Sequence, residues 1–434
     1  MQKTSPIRQA AATQAQALLD FIDASPSPWH AVATAVEQLQ RNGYTQLLEA
    51  DRWQLQAGGR YFLTRTDASL IAFIVGQKPF TETGFRIVGA HTDSPGLRLK
   101  PKAAHSSDGL ARLGVEVYGG PILATFTDRD LSLAGCVYTR QGEGLKSHLV
   151  RFDGPLVRLP NLAIHMNREV NENGLKLNKQ TELPLIFGFA KDSAEAHDRF
   201  IGLIGDALQV APDQILTYEF NAHDTQKGTF WGAEQEFIAN SQLDNLASSH
   251  TALTALLEIE APQATCVCAL FDHEEVGSGS PAGAGGSFIS DVLERIETDG
   301  ETRRRIYARS FFISADMAHA YHPNFPNAYE PQHKVMMNGG PVIKSNANQR
   351  YSTTAETAAR FIDICNEARV PFQQYVHRTD LGCGSTIGPI LAAKLGIPCV
   401  DVGSPMWAMH SIRESAGVLD HGYMISALQA HFKS

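Results

Sequence analysis

The chain has 434 residues, 43% of them hydrophobic and 19% charged, so it is long enough for two or three domains with a large core. A net charge of −9 argues against partners such as nucleic acid or an anionic membrane. No apolar run is long enough for a membrane span, and the six cysteines have no metal-binding spacing, which predicts reduced thiols in a cytoplasmic protein.

The N-terminal third predicts helices followed by buried strands. MQKTSPIRQAAATQAQ is polar and has no apolar signal-peptide core. Helical spacing continues over residues 11–40, with a break at SPSPW. SLIAFIVG (69–76) and GFRIVGAHTDSPG (84–96) are typical of buried strands, and the second one ends in His91-Thr92-Asp93.

Between about Leu97 and Trp231 the pattern changes to short alternating segments such as GVEVYGG, LSLAGCVYTR and HLVRFDG, which predict a β-rich insert. After the insert, SSHTALTALLEI (248–259) predicts a helix, and ATCVCALF and FFISADMAHA predict strands. Residues 387–411 predict a helix, a strand and a loop. Strands that alternate with helices on both sides of the insert predict a mostly parallel sheet in an α/β/α arrangement.

Five β-like segments end in side chains that can bind a metal or a proton. They are the segments ending at His91 and Asp93, at Asp244 in NSQLDNLAS, at Glu274 and Glu275 in FDHEEVGS, at Asp316 in ISADMAHA, and at His410 in MWAMHS. Strand ends of an open α/β sheet meet at one edge. Two histidines with several carboxylates favour Zn²⁺ or a similar ion, and the excess of carboxylates suits two ions that share a bridging carboxylate.

Each of these residues also has an ordinary explanation. A single Asp at a strand end commonly caps a helix. A histidine such as His410 commonly lies in a core or on a surface, and a doublet such as Glu274-Glu275 commonly forms a solvated face. Five such endings, in a chain without a CxxC or HExxH motif, favour a metal site, in which one glutamate of the doublet binds metal and the other takes a proton.

Seven segments carry a resemblance to a known family: GAHTDSPGLRLKP, EFIANSQLDNL, FDHEEVGS, SADMAHAYHPN, KSNANQRY, CGSTIGP and MHSIRE. In order and spacing they resemble the aspartyl aminopeptidases, a family of co-catalytic dinuclear zinc exopeptidases. The resemblance extends from about Trp29 to the C-terminus. It implies an enzyme that hydrolyses the peptide bond after an N-terminal Asp or Glu of a peptide.

The resemblance also implies roles for particular residues of these motifs. It implies that the metal ligands are His91, Asp244, Glu275, Asp316 and His410, with Asp244 bridging two ions. Glu274 resembles the general base, and Asp93 resembles a carboxylate that orients the His91 imidazole. Two divalent ions per subunit are implied; Zn²⁺ is expected, and Co²⁺ and Mn²⁺ also accept N and O donors.

The domain organisation and the assembly follow from the same resemblance. It implies an α/β/α sandwich metallo-exopeptidase domain, residues 1–96 and 232–434, interrupted by a β-rich dimerisation or lid domain, residues 97–231. It further implies a homododecamer built from dimers, in which a histidine of the insert reaches the site of a neighbouring subunit. His165 in LAIHMNREVNEN matches that histidine, although such a residue is ordinarily a loop histidine.

Acidic substrates require a cation in the side-chain pocket, because a buried carboxylate without a partner is costly. Lys344 and Tyr351 in KSNANQRY match family positions near that pocket, and His319 matches a substrate-contacting imidazole. Without the resemblance, a solvated basic loop is the simpler interpretation of KSNANQRY. One departure from the family stands before the bridging ligand, where Gln242 replaces a frequent Arg.

Two other functions remain open from the sequence. A dinuclear aminopeptidase of broad specificity, acting on Leu or Ala, would have the same ligands but no use for Lys344. A non-catalytic assembly or cargo protein would have lost ligands or the base, whereas all five ligands and Glu274 are present here.

Overall fold

The structure is a computed structural model that describes residues 6–142 and 144–434, so the polar residues 1–5 of the predicted N-terminal arm lie outside the described residues. The helices are α1 (Pro6–Ala24), α2 (Pro28–Arg41), α3 (Phe80–Thr83), α4 (Val170–Asn173), α5 (Ser193–Leu208), α6 (Leu243–Leu257), α7 (Phe288–Ile296), α8 (Gly300–Arg309), α9 (Ala355–Ala368), α10 (Ile387–Leu395) and α11 (Val418–Lys433).

The strands are β1 (Thr45–Gln46), β2 (Arg60–Arg65), β3 (Ser69–Ile74), β4 (Phe85–His91), β5 (Gly96–Ser107), β6 (Leu110–Tyr118), β7 (Leu131–Gln141), β8 (Gly144–Arg151), β9 (Leu185–Phe189), β10 (Ile215–Asp224), β11 (Thr229–Trp231), β12 (Phe237–Asn240), β13 (Thr265–Phe271), β14 (Phe311–Ala315), β15 (Ala318–His319), β16 (Val342–Ser345), β17 (Gln373–Val376), β18 (Cys399–Gly403), β19 (Pro405–Trp407) and β20 (Glu414–Gly417).

The N-terminal helices follow the predicted pattern, with a break at SPSPW. Ser27 caps α2 by accepting a hydrogen bond from the His30 N–H, and Pro28 occupies the first turn, where its missing N–H costs nothing. The break therefore has a local cause.

A nine-stranded sheet in the order β1-β2-β3-β13-β4-β14-β18-β16-β17 forms the middle layer. Its central strands β13, β4, β14 and β18 are parallel to their neighbours within this group, while β3 runs antiparallel to β13 and β16 runs antiparallel to β18. The sheet is therefore mixed, with a parallel centre. Helices α1, α2, α6, α9 and α11 pack on one face and α7, α8 and α10 on the other, which gives the predicted α/β/α fold.

Burial along the central strands explains their apolar sequences. All residues of β3 and β13 are buried, because helices cover both faces of the sheet. Side chains still alternate: Cys266 and Cys268 pack on the α1/α6 side, whereas Val267 packs on the α7/α10 side. Both cysteines are free thiols, as the sequence predicts.

A second sheet, here called the inserted sheet, has the order β8-β7-β10-β5-β6-β9. It carries its own apolar core together with α5, which contributes Phe200 and Ile204. Helix α5 was not expected in the β-rich segment; Asp192 caps it by accepting a hydrogen bond from the Glu195 N–H. The domain boundaries at residues 96/97 and 231/232 stay a prediction.

A third sheet, β11-β12-β20-β19-β15, lies next to the nine-stranded sheet. It brings together segments far apart in the chain: β12 precedes Asp244, and β19 precedes His410. Among the described helices, none combines the length and the apolar character that a membrane crossing requires.

Candidate active site

Three of the segments that carry predicted metal ligands come from adjacent parallel strands. His91 is the last residue of β4, Asp316 follows β14 directly, and Glu274 and Glu275 form a short turn just after β13. Strand β4 lies between β13 and β14 and is parallel to both. The carboxyl ends of these strands therefore deliver the side chains to one place, as predicted for an open α/β sheet.

Asp244 and His410 reach the site differently from the prediction, because neither lies at a strand tip. Asp244 lies in the first turn of α6, after the left-handed residue Gln242 (φ 56°). His410 is itself left-handed (φ 69°) and lies in the loop after β19. The Gln242 side chain donates a hydrogen bond to the Ser25 carbonyl at 3.4 Å. Ser25 lies in the short connection between α1 and α2.

Glu414 connects these two segments and is a residue of the candidate site that the sequence interpretation missed. Its carboxylate accepts a hydrogen bond from the Asp244 N–H at 3.0 Å and another from the His410 N–H at 2.7 Å. The side chain is buried, and burial raises its pKa well above the usual value. The signal that could have found it is a glutamate four residues after the ligand histidine, in MHSIRE.

The side chains of the predicted ligands form two groups that share Asp244. Asp244 Oδ1 is 3.5 Å from His91 Nε2, which in turn is 3.6 Å from Asp316 Oδ1. Asp244 Oδ2 is 3.4 Å from His410 Nε2, which is 3.5 Å from Glu275 Oε1. Donors bound about 2.0–2.2 Å from a tetrahedral Zn²⁺ are separated by about 3.3–3.6 Å, so these spacings fit such an ion.

A second observation agrees with a metal. Asp244 Oδ1 is buried and has no hydrogen-bond partner among the described residues, and a buried oxygen without a partner is costly. One ligand atom each from His91, Asp244 and Glu275 lies within 4.8 Å of the others. The residues present therefore fit a divalent cation.

Both histidines are held in the tautomer that leaves Nε2 available. His91 Nδ1 is 3.0 Å from the Asp93 carbonyl oxygen, and His410 Nδ1 is 3.1 Å from the Gly120 carbonyl oxygen. A carbonyl oxygen only accepts, so each Nδ1 donates and each Nε2 keeps its lone pair for a metal. The Asp93 carboxylate is also 3.3 Å from His91 Nδ1.

The acidic groups are crowded and buried. Burial, opposed by His91 and reinforced by the neighbouring Asp316, Asp93 and Asp244, raises the pKa of Glu274 to about 8. Burial also raises the pKa of Glu275 well above its usual value. For Asp244, burial raises the pKa, but contacts with His410 and His91 outweigh burial and hold the pKa below its usual value. Such a cluster favours a bound cation.

A cavity of about 470 Å³ opens onto the ligands and also contains His319, Lys344 and Tyr351. Lys344 is 2% exposed, so the solvated basic loop is the wrong interpretation for this residue. Its ammonium group donates to the carbonyl oxygens of Asp316 and Met317, both at 3.1 Å, and lies 5.0 Å from the centre of the Tyr351 ring. The ammonium group also lies 3.6 Å from Asp316 Oδ2, so it faces a predicted metal ligand as well as the cavity.

The other two predicted histidines behave differently. Burial and the nearby Lys344 lower the pKa of His319 to about 4, so this ring is neutral inside the cavity. His165 lies on an exposed loop and is not among the described residues that line the cavity. Within one chain, the structure does not bring His165 to the other site residues.

The chain also matches proteins of a known family. A model of the family described as Aminopeptidase I zinc metalloprotease (M18) matches residues 21–432. The chain belongs to the M18 family. This membership confirms the resemblance drawn from the sequence motifs and makes the protein a zinc-dependent aminopeptidase, a hydrolase.

Relatives and solved structures of M18 proteins agree in length and fold. The chain is 47% identical to a probable M18 family aminopeptidase 2 of Pseudomonas paraeruginosa, over 96% of this chain and 98% of that protein. A chain from the complex of Ape4 with Nbr1 has a TM-score of 0.96 at 37% identity, covering 100% of this chain and 88% of the other. The mApe1 dodecamer of S. cerevisiae has a TM-score of 0.84 at 26% identity, with 96% of each chain covered.

Proposed function

We propose that this M18 enzyme removes an N-terminal Asp or Glu from peptides. The observation that carries the proposal is a buried cation in the cavity. Among the described residues that line the cavity, Lys344 is the only lysine or arginine. A buried ammonium group beside the metal ligands suits a substrate carboxylate, which needs a charged partner when it leaves water. Tyr351 and His319 line the same cavity and serve as further contacts for the substrate.

The proposed site holds two divalent ions per subunit. His91 and Asp316 would hold one ion, His410 and Glu275 the other, and Asp244 would be the ligand that both ions share. Bound Zn²⁺, or Co²⁺ or Mn²⁺ in its place, lowers the pKa of water and polarises a carbonyl group. The separate spacings of the two histidines to Asp244, 3.5 Å and 3.4 Å, support two ions.

Glu274 is the proposed general base. Its carboxylate lies 4.0 Å from His91 Nε2, close to the ligands but outside the group of His91, Asp244 and Glu275. Its raised pKa suits a group that must both accept and release a proton near neutral pH. Glu274 takes the proton of the attacking water and returns it to the leaving amine.

His165 is proposed to act in the site of a neighbouring subunit. Its loop carries the exposed apolar side chains Leu162, Ile164 and Met166, which are typical of a protein interface. Residues 97–231 then form the dimerisation domain, and the dimers build a dodecamer, the oligomer in which S. cerevisiae mApe1 has been solved. The imidazole would donate to the polarised carbonyl of the substrate.

A cytoplasmic location is part of the same proposal. All six cysteines are free thiols, and reduced thiols are usual in a reducing compartment.

The test is a comparison of matched short peptides that differ only in the N-terminal residue, Asp, Glu, Leu or Ala. The purified enzyme is stripped with a chelator and reloaded with Zn²⁺, Co²⁺ or Mn²⁺. We expect metal-dependent release of Asp or Glu, at a kcat/KM well above that for Leu and Ala. Faster release of Leu or Ala would refute the acidic specificity.

A second candidate, an aminopeptidase of broad specificity, is favoured by one observation. The Lys344 ammonium group already donates to two main-chain carbonyls, so it could serve mainly to hold the Asp316 loop. In that case the peptide panel would show no preference for acidic residues.

A further inference from the structure

The inserted sheet reaches the candidate metal centre of its own chain through one short segment. Residues 118–120, here called the bridging segment, begin with Tyr118, the last residue of β6, and continue as Gly119 and Gly120. This segment contacts the surroundings of both ligand histidines. Only the contact of Gly120 with His410 has been given a role above.

The first contact is to the His91 side of the site. The Tyr118 hydroxyl donates to Asp93 Oδ2 at 2.6 Å, and the same carboxylate accepts the N–H groups of Glu274 and Glu275, each at 3.1 Å. Burial raises the pKa of Tyr118, so the phenol stays protonated and keeps donating. Tyr118 thus acts on the surroundings of His91 by holding the Asp93 carboxylate, which lies 3.3 Å from His91 Nδ1, while the Asp93 carbonyl accepts the Nδ1–H.

The second contact is to the His410 side. The Gly120 carbonyl accepts the His410 Nδ1–H at 3.1 Å, and the Ile122 N–H donates to the His410 carbonyl at 2.9 Å. Gly119, which lies between Tyr118 and Gly120, has a φ of +65°. A Cβ at this position would lie 3.1 Å from the Glu275 Cβ. This position therefore requires glycine both for its backbone conformation and for its closeness to a ligand.

The bridging segment is itself held from within the inserted sheet. Arg98 on β5 is paired with Glu116 in register, so Tyr118 is its diagonal neighbour on the same face. The Arg98 guanidinium lies 3.7 Å from the centre of the Tyr118 ring, while its Nε and Nη2 have no hydrogen-bond partner among the described residues. The ring is therefore fixed by stacking as well as by its hydroxyl.

We propose that the bridging segment positions the imidazoles of His91 and His410. The affinity for metal then depends on how the inserted sheet packs against the part of the chain that carries the metal ligands. Tyr118 is a positioning residue for the ion beside His91, and Gly119-Gly120 positions the ion beside His410. The inference rests on the two-ion site of the proposed function. Polar groups that orient a metal ligand commonly change affinity about 10- to 100-fold when they are removed.

The experiment titrates the metal-free enzyme with Zn²⁺ in competition with a chromophoric chelator, for the wild type and for Tyr118→Phe. We expect Tyr118→Phe to bind one ion about 10- to 100-fold more weakly and the other ion unchanged, with an altered Co²⁺ absorption spectrum. Tyr218→Phe is the matched control, because Tyr218 lies in the same sheet and its hydroxyl accepts the Ala103 N–H at 3.1 Å, away from the site.

Equal Zn²⁺ affinities for the wild type, Tyr118→Phe and Tyr218→Phe would overturn the inference while leaving the two-ion site intact. Uptake of a single ion by the wild type would refute the two-ion site instead. A single ion weakened by Tyr118→Phe but not by Tyr218→Phe would then still support a positioning role.

A second variant tests the other half of the segment. Gly119→Ala should weaken the ion beside Glu275, since the new methyl group presses on that side chain. Gly109→Ala is its matched control, because Gly109 also has a positive φ of +82°, but no atom of the described residues lies within 4 Å of the place that an alanine methyl group would occupy. Circular dichroism confirms folding of each variant, and equal metal affinity of the two folded variants would overturn the role of Gly119.

Discussion

His91, Asp93 and Asp244 are 0–3% exposed, whereas Leu162, Ile164 and Met166 around His165 are 47–76% exposed. In the first region each side chain has partners from several elements of the same chain. In the second region the side chains project from a loop without such partners in the described residues. The difference teaches that the predicted ligands come together within one chain, whereas His165 lies apart from them, so its proposed role requires a surface from outside the chain.

The largest expected effect is a loss of kcat when a residue of the buried region is substituted. Glu274→Gln keeps the shape of the side chain but cannot take a proton, so we expect kcat to fall about 10²- to 10⁴-fold, with the metal content unchanged. The measurement is peptide hydrolysis together with metal analysis of the same sample. Glu275→Gln serves for comparison and should lose metal; loss of metal from Glu274→Gln would assign Glu274 as a ligand.

His165 tests the exposed region directly. His165→Ala should lower kcat about 10²- to 10³-fold, the usual cost of a donor to the developing oxyanion, without changing the metal content. Activity per subunit is measured on an acidic peptide at saturating Zn²⁺.

Coexpression decides whether His165 acts across an interface. Random dimers of His165→Ala and Glu274→Gln chains contain sites with both groups intact, so about a quarter of wild-type activity should return if each site borrows its histidine from the other chain of a symmetric dimer. No recovery would place His165 in its own subunit's site, whereas full activity of His165→Ala alone would place it outside catalysis. Either result would remove the contrast between the two regions.

Lys344 tests substrate choice within the buried region. Lys344→Met should lower kcat/KM for an N-terminal Asp peptide about 10- to 100-fold, as expected for loss of a hydrogen bond to a charged group, and should affect a Leu peptide less. Because Lys344 also holds the Asp316 carbonyl, metal content is measured in parallel. Lys334→Met is the control, since Lys334 lies over the Tyr321 ring and does not line the cavity; an equal loss on both peptides would assign Lys344 to the support of Asp316.

The smallest expected effect concerns acid stability of the buried region. The Nδ1 atom of His250 on α6 and the Nε2 atom of His421 on α11 are 2.9 Å apart. Burial lowers the pKa of His250 to about 4 and the pKa of His421 well below its usual value. Unfolded histidines take up protons as the pH falls below about 6.5, whereas the folded ones do not, so stability decreases between about pH 6.5 and pH 4.

The check is the apparent melting temperature of metal-free protein at pH 7.5 and pH 5, where a decrease is expected at the lower pH. His421→Gln, whose amide can still hydrogen-bond to His250, should show a smaller decrease because one titrating group is gone. His197→Gln on α5 is the control. An unchanged pH dependence in His421→Gln would show that protonation of other groups causes the loss of stability in acid.

The positions of His91, Glu274, Glu275 and Asp316 were predictable because each follows a strongly apolar run that ends at a fixed edge of a parallel sheet. Helix α2 was predictable for the same kind of local reason, with Ser27 and Pro28 marking its start. Helix α5 was missed, since its amphipathic sequence lies within alternating segments that dominate the pattern around it.

By itself the sequence determined the central sheet, the residue types of the site and the family, because apolar periodicity and motif order are properties of neighbouring residues. Only the tertiary structure decided that Glu414 holds Asp244 and His410, that Tyr118 holds Asp93, and that Lys344 is buried under Tyr351. Glu414 and Asp244 are separated by 170 positions in the chain. Hydrogen bonds of this kind depend on distances across folded layers, and no local pattern in the chain encodes such distances.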